Sequence, residues 1–270
     1  GECRRAKDEA TGGGSVEPQS PRPFASLARA LHADGAPRPS VEEVLSRRWS
    51  LVPADARKRA ELWDTALLAV LDGDFVRADD LAREYDAGLP HTADSYDHAE
   101  PGRLRVNVLM ETDRMKDAAK AARSFLERLR ASEGRSAREP WTAWATVYGS
   151  FAESREEALE ALARAPQDDG APGRAHGLFV DFALGKVYAL AGRWNDAVPH
   201  LERVVSSCAT FDATMVIAKA RLYLGQAQET KGDAAAAKAT YEKLVEAWPK
   251  ATASHTFKRA SERLATMTRE

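Results

Sequence analysis

The chain has 270 residues and little cysteine, aromatic content or net charge. Two cysteines, Cys3 and Cys208, exclude a disulfide framework and a zinc ribbon, and would pair only in an oxidising compartment. A formal net charge of −2, from 39 Lys+Arg against 41 Asp+Glu, gives no bulk attraction to nucleic acid or to an anionic membrane. No apolar run approaches the length that crosses a bilayer. Aromatics are only 7%, and helix formers (Ala, Leu, Arg, Glu) dominate. At 44% hydrophobic and 30% charged, the chain has the composition of a folding domain.

Residues 1–23 carry Gly12-Gly13-Gly14-Ser15 with Pro18, Pro21 and Pro23 and show no apolar periodicity, so a flexible tail or linker is expected. Glu2 before Cys3 argues against lipid attachment at that cysteine, where a small residue normally precedes. The first residue is Gly1, which raises the expectation of a processed product or fragment with a segment upstream. The compartment stays open between cytoplasm and periplasm.

From residue 53 onward a unit repeats. Five short turns each precede a helix with alanine at a fixed offset: Ala78, Ala118, Ala158, Ala197 and Ala237, spaced 40, 40, 39 and 40 residues apart. Gly73, Gly192 and Gly232 stand where a helix must stop and reverse, which favours positive φ. The alanines stand where antiparallel helices cross closely, and Gly185 and Gly225 form the facing small positions seven residues before their turn glycines. Apolar residues follow at helical spacing, as in Ala197, Leu201, Val204 and Ala237, Tyr241, Leu244. Pro90 and Pro249 are expected to close second helices, and Pro199 to sit within the first turn of its helix.

The pattern resembles the tetratricopeptide repeat. Leu184-Gly185, Tyr188, Gly192, Trp194, Ala197 and Leu201 match its order, as do Leu224-Gly225, Gly232, Ala237, Tyr241, Leu244 and Pro249. Gly73, Phe75, Ala78 and Pro90 match more loosely, and the units at 99–131 and 139–166 keep little beyond Ala118, Ala158 and Phe125. The period exceeds the usual value of about 34, which longer linkers such as 167–173 accommodate. Ala191 to Leu201 is also similar to stretches in arrays at the C-terminal end of large bacterial serine/threonine kinases, although no kinase motif is present here.

The fold expected is all-α: a right-handed α-solenoid of about five helix–turn–helix repeats over 53–270, with cap helices in 24–52. Phe24–Ala33 and Val41–Trp49 read as those caps, the second with a Ser40/Glu43 capping box. Ser254–Thr268 reads as a terminal amphipathic helix presenting Phe257, Ala260, Leu264 and Met267.

Candidate chemistry is sparse. His91, Asp94, Asp97 and His98 are residue types that could ligate a metal ion, but they are read as a polar inter-repeat loop whose Asp or Ser caps the next helix, with Pro101 favouring a helix start. Asp168-Asp169-Gly170 lacks the alternating ligands of a calcium loop. Ser150 and Cys208 have no partner histidine in a recognisable arrangement. Trp49, Trp63, Trp141, Trp144, Trp194 and Trp248 are spaced for core packing and not for base stacking. No catalytic residue, metal or cofactor is expected. The resemblance implies instead a concave groove, lined by first helices, that holds a protein or peptide. Groove positions in this register are Trp63, Leu67, Arg103, Asn107, Phe182, Lys186, Gln226 and Glu229. Arg103, Asn107 and Lys186 are scattered relatives of the family's carboxylate clamp, without completing it. Alternatives are a docking region of a larger signalling kinase and a small helical metal-dependent hydrolase.

Overall fold

A computed structural model describes residues 21–33, 35–89, 95–131, 140–166, 177–207 and 213–269. Two short helices come first, α1 (Arg22–Ala33) and α2 (Arg38–Ser50). Five helical pairs follow: α3 (Ala54–Leu71) with α4 (Phe75–Ala87), α5 (Ser95–Glu111) with α6 (Met115–Ala131), α7 (Pro140–Val147) with α8 (Arg155–Ala163), α9 (Leu178–Leu190) with α10 (Trp194–Val205), and α11 (Thr214–Thr230) with α12 (Ala234–Ala247). Helix α13 (His255–Met267) ends the array, and no strand occurs among the described residues. The chain is an all-helical repeat solenoid.

Four of the five reversals share one hydrogen-bonded turn. At the first, Gly73 N–H donates to the Val70 carbonyl (3.1 Å) and Asp74 N–H to the Ala69 carbonyl (2.9 Å), which satisfies two carbonyls at the helix end. The long bond recurs from Arg114 to Leu109 (2.9 Å), Arg193 to Tyr188 (2.8 Å) and Asp233 to Gln228 (2.9 Å). The turn needs a left-handed residue, and Gly73, Gly192 and Gly232 supply it at φ 73°, 80° and 79°. In the second unit Asp113 takes that place at φ 58°. Next, Asp74 and Asp233 cap α4 and α12 by accepting from the amides of Arg77 and Ala236, both at 3.0 Å.

The third unit departs from this plan. Helix α7 stops at Val147, a 3₁₀ turn spans Gly149–Phe151, and Ser154 with Glu157 forms a capping box that starts α8. A side chain at Gly149 would meet the Ala183 Cβ at 2.8 Å, so α9 presses directly on this turn.

The repeat alanines Ala78, Ala118, Ala158, Ala197 and Ala237 are all buried at the helix crossings. The facing glycines are close-contact positions: a Cβ at Gly185 would stand 2.7 Å from Leu201, and one at Gly225 2.4 Å from Tyr241.

Three local expectations need correction. Helix α2 begins at Arg38 after Pro37, without a side-chain cap, so Ser40 lies inside the first turn; Pro39, with its fixed φ and missing N–H, favours the earlier start. Pro199 is the sixth residue of α10, past the first turn, and removes one interior hydrogen bond. Pro101 likewise lies inside α5 and does not begin it. Helix α1 starts at Arg22, just inside the expected tail. Pro90, Cys3, Cys208, His91, Asp94 and residues 168–170 lie outside the described residues.

The array does not run straight. One core joins α3, α4 and α5 to α11, α12 and α13, through Val70, Phe75, Leu104, Met215, Leu244, Trp248 and Ala260. The Trp248 indole N–H donates to the Val70 carbonyl at 3.0 Å, 178 residues away in sequence. The Gly73 turn nests on the chain at Lys250, whose carbonyl oxygen would lie 2.3 Å from any Cβ there. The last repeat therefore packs on the first. Helix α11 sits at the centre, also sharing a core with α9 and α10, and ten of its 17 residues are buried.

Candidate protein-binding face

Helices α3, α5, α9 and α11 line an open cavity of about 300 Å³. Trp63 and Leu67 reach it from α3, Arg103 and Asn107 from α5, and Phe182 from α9. Five of the eight groove positions thus surround one space. The wall is mostly apolar, with the Arg103 guanidinium 4.7 Å above the Phe179 ring and Trp63 5.7 Å from Tyr85. Asn107 is fixed at both ends: its amide donates to the Arg103 carbonyl (2.9 Å) and its oxygen accepts from the Lys219 ammonium (3.3 Å).

The other three positions are placed elsewhere. Lys186 is buried, donating to the Ser150 carbonyl at 3.1 Å and to the Glu153 carboxylate. Burial pushes the Lys186 ammonium below its ordinary pKa, with Glu153 acting against that shift. Burial alone would raise Glu153, but the Lys186 charge, aided by Lys219, holds its carboxyl below the ordinary value. Glu229 pairs with Arg263 of α13, and the Gln226 carbonyl accepts from Thr230 at 2.9 Å. Both lie in the C-terminal half of α11, away from the cavity lining.

Phe179, Ser150, Met215 and Val216, which the groove register does not include, also line the cavity, as do Val70, Leu104, Ala213 and Thr214. Met215 and Val216 belong to the unbroken buried stretch Met215–Ala220, in which Lys219 is the only charge. A helix apolar on every side is a core helix, and that signal was available to show which half of α11 faces inward.

Beside the cavity lies a buried polar cluster. Glu111, fully buried, accepts from Ser254 Oγ (2.6 Å), Thr256 N–H (3.1 Å) and Thr256 Oγ1 (2.8 Å), and pairs with Lys219 at 3.4 Å. Burial first, then the carboxylates of Glu153 and Glu111, raises the Tyr223 phenol well above its ordinary pKa. Every charge in this cluster is matched by an opposite one, as burial demands.

Of the tryptophans, Trp49, Trp144 and Trp248 donate to Asp64, to the Ala161 carbonyl and to the Val70 carbonyl, which anchors them in packing. Among the described residues, no group of three or more His, Cys, Asp or Glu could hold a metal ion, and no helix is long and apolar enough to cross a membrane.

The tetratricopeptide-repeat family model matches residues 219–251, from the middle of α11 through α12 to the loop that carries Trp248. A search of curated protein sequences matches no relative. The matched stretch holds the Gly225–Tyr241 contact, the Gly232 turn and the buried Ala237, so geometry and family pattern coincide there: residues 219–251 form a tetratricopeptide repeat.

Proposed function

We propose that the chain is a non-catalytic protein-binding scaffold that receives a protein or peptide segment on the face lined by its first helices. The observation that carries this reading is the convergence of Trp63, Leu67, Arg103, Asn107 and Phe182, from three different repeats, on one cavity. An apolar pocket with an aromatic anchor, a guanidinium and an oriented amide suits an apolar side chain presented beside a polar backbone. Tetratricopeptide repeats are interaction modules, which points the same way. The neutral overall charge makes recognition a matter of local pattern. Lys186, Gln226 and Glu229 stay in the proposal as supports: Lys186 holds the wall at Ser150, and Glu229 fixes the terminal helix.

The test is affinity capture with the full chain, followed by titration of the captured partner against variants. Trp63→Ala and Arg103→Glu are expected to weaken binding at least tenfold, corresponding to about 1.4 kcal/mol or more, with helical content by circular dichroism retained. Binding indifferent to both substitutions overturns the assignment. A second reading, a docking region within a larger signalling enzyme such as a serine/threonine kinase, rests on the stretch Ala191 to Leu201 alone. A kinase domain as the captured partner, or encoded in the same reading frame, would favour it.

A further inference from the structure

The repeat register singles out two of the second helices. In every repeat, the positions two before, two after and five after the buried alanine fall on one outer row of the second helix, and all of them are exposed. That row reads Lys116, Lys120 and Arg123 on α6, and Glu156, Glu160 and Ala163 on α8. On α4 its two charges, Asp80 and Arg83, pair with each other, and α10 and α12 carry a single acid each, Glu202 and Glu242. Among the described residues no acid meets Lys116, Lys120 or Arg123, because Asp117 is taken by Arg114. On α8, Glu156 has no basic partner, Glu160 pairs with Arg164, and Glu157 serves the capping box.

A second row runs beside the charged one, three before and one after the alanine. On α4 it holds Phe75 and Asp79, both buried, with Asp79 against Arg105 of α5. On α6 it holds Met115, 46% exposed, and Ala119, also exposed. On α8 it holds Arg155 at the helix start and Leu159, 49% exposed. Packing explains why α4 and α6 differ. Helix α4 lies along α5, whereas α7 packs on the 3₁₀ turn and on α9 instead of along α6. Val76 of α4 is exposed too, but the row beside it is buried, so it stands alone as single surface apolar residues commonly do. Helices α6 and α8 each keep an open apolar strip beside a charged row, and the two rows have opposite sign.

We propose that the chain self-associates through these strips, with α6 of one copy on α8 of a second and the reverse, in a two-fold symmetric dimer. Met115 and Ala119 then cover Leu159, while Lys116 and Lys120 face Glu156 and Glu160. A two-fold arrangement engages both strips of both copies and closes on itself. Charge complementarity selects the pairing, and two strips one helix wide make a small, reversible interface. The surface belongs to second helices and shares no residue with the cavity lining, so it is independent of the protein-binding face.

Sedimentation velocity and light scattering on the full chain test this over a range of concentrations, at low and at high salt. The mass is expected to rise towards that of two chains with concentration, and the dimer to dissociate more readily at high salt. Lys116→Glu/Lys120→Glu and Glu156→Lys/Glu160→Lys should each weaken association about tenfold or more. Both variants should keep the parent's circular dichroism, because the substituted side chains are exposed. An equimolar mixture of the two variants should regain the parent's dimer: the two reversed rows meet each other, and so do the two native ones. A monomer at every concentration, a dimer indifferent to both reversals, or variants that do not recover on mixing would each overturn the assignment.

Discussion

Asp113 is the one non-glycine residue at positive φ among the described residues, and it occupies the turn position that glycine fills in three other repeats. Asp tolerates this region better than most side chains, yet still less well than glycine. Its carboxylate accepts from His255 Nδ1 at 2.6 Å and lies 3.6 Å from the Lys258 ammonium, both on α13. These groups are exposed, so the pairing contributes little to stability. Two terms therefore oppose each other, and the backbone term is the larger. Asp113→Gly is expected to match or exceed the parent in stability, and Asp113→Ala, which loses the pair and keeps a Cβ in a left-handed turn, to fall about 1 kcal/mol below the glycine variant. Urea denaturation of the two variants checks the order; alanine at or above glycine would mean that the turn is not strained.

Helix α13 illustrates how an element is held from both directions. Locally, Ser254 caps it by accepting the Phe257 amide at 3.1 Å, and its buried face carries Thr256 and Ala260. Across the fold, Glu111 at the end of α5 takes three hydrogen bonds from Ser254 and Thr256 and an ion pair from Lys219. Glu111→Ala would leave those donors and the Lys219 ammonium without their acceptor in a buried site. The expected cost is about 3–5 kcal/mol, and amide exchange should rise first in α13. A loss below about 1 kcal/mol would show that the cluster is not truly dry. The amphipathic face of this helix was legible in sequence because spacing along one helix is local information. So were the small residues of the close crossings, since Gly225 and Ala237 belong to one repeating register. The Glu111 contact was not, because it joins residues 143 positions apart and no periodicity relates them. For the same reason the form of the third reversal was not legible: Glu153 stands where other units carry a left-handed residue, but α9 packs against Gly149 and the turn there is different.

At the scale of the molecule, the repeat register relates Trp63, Leu67, Arg103, Asn107 and Phe182, which line one cavity, whereas neither the burial of Lys186 on the same helix as Phe182 nor the packing of the last repeat on the first follows from it. In an open solenoid each repeat touches only its neighbours, and a lesion in the last pair loosens that pair alone. Here Trp248 reaches back to the first pair, with its indole N–H on the Val70 carbonyl and its ring edge-on to Phe75 at 5.7 Å. The same contact holds the face on which the protein partner is proposed to bind, because Val70 lines that cavity as well. Trp248→Ala is expected to cost about 3–5 kcal/mol, by loss of a fully buried aromatic. Hydrogen exchange measured by mass spectrometry then separates the two architectures. If the repeats close on one another, protection falls together in residues 54–87 and 234–251. If only 234–251 respond, the first and last repeats are energetically independent, and the cavity between α3 and α11 is not held by this contact.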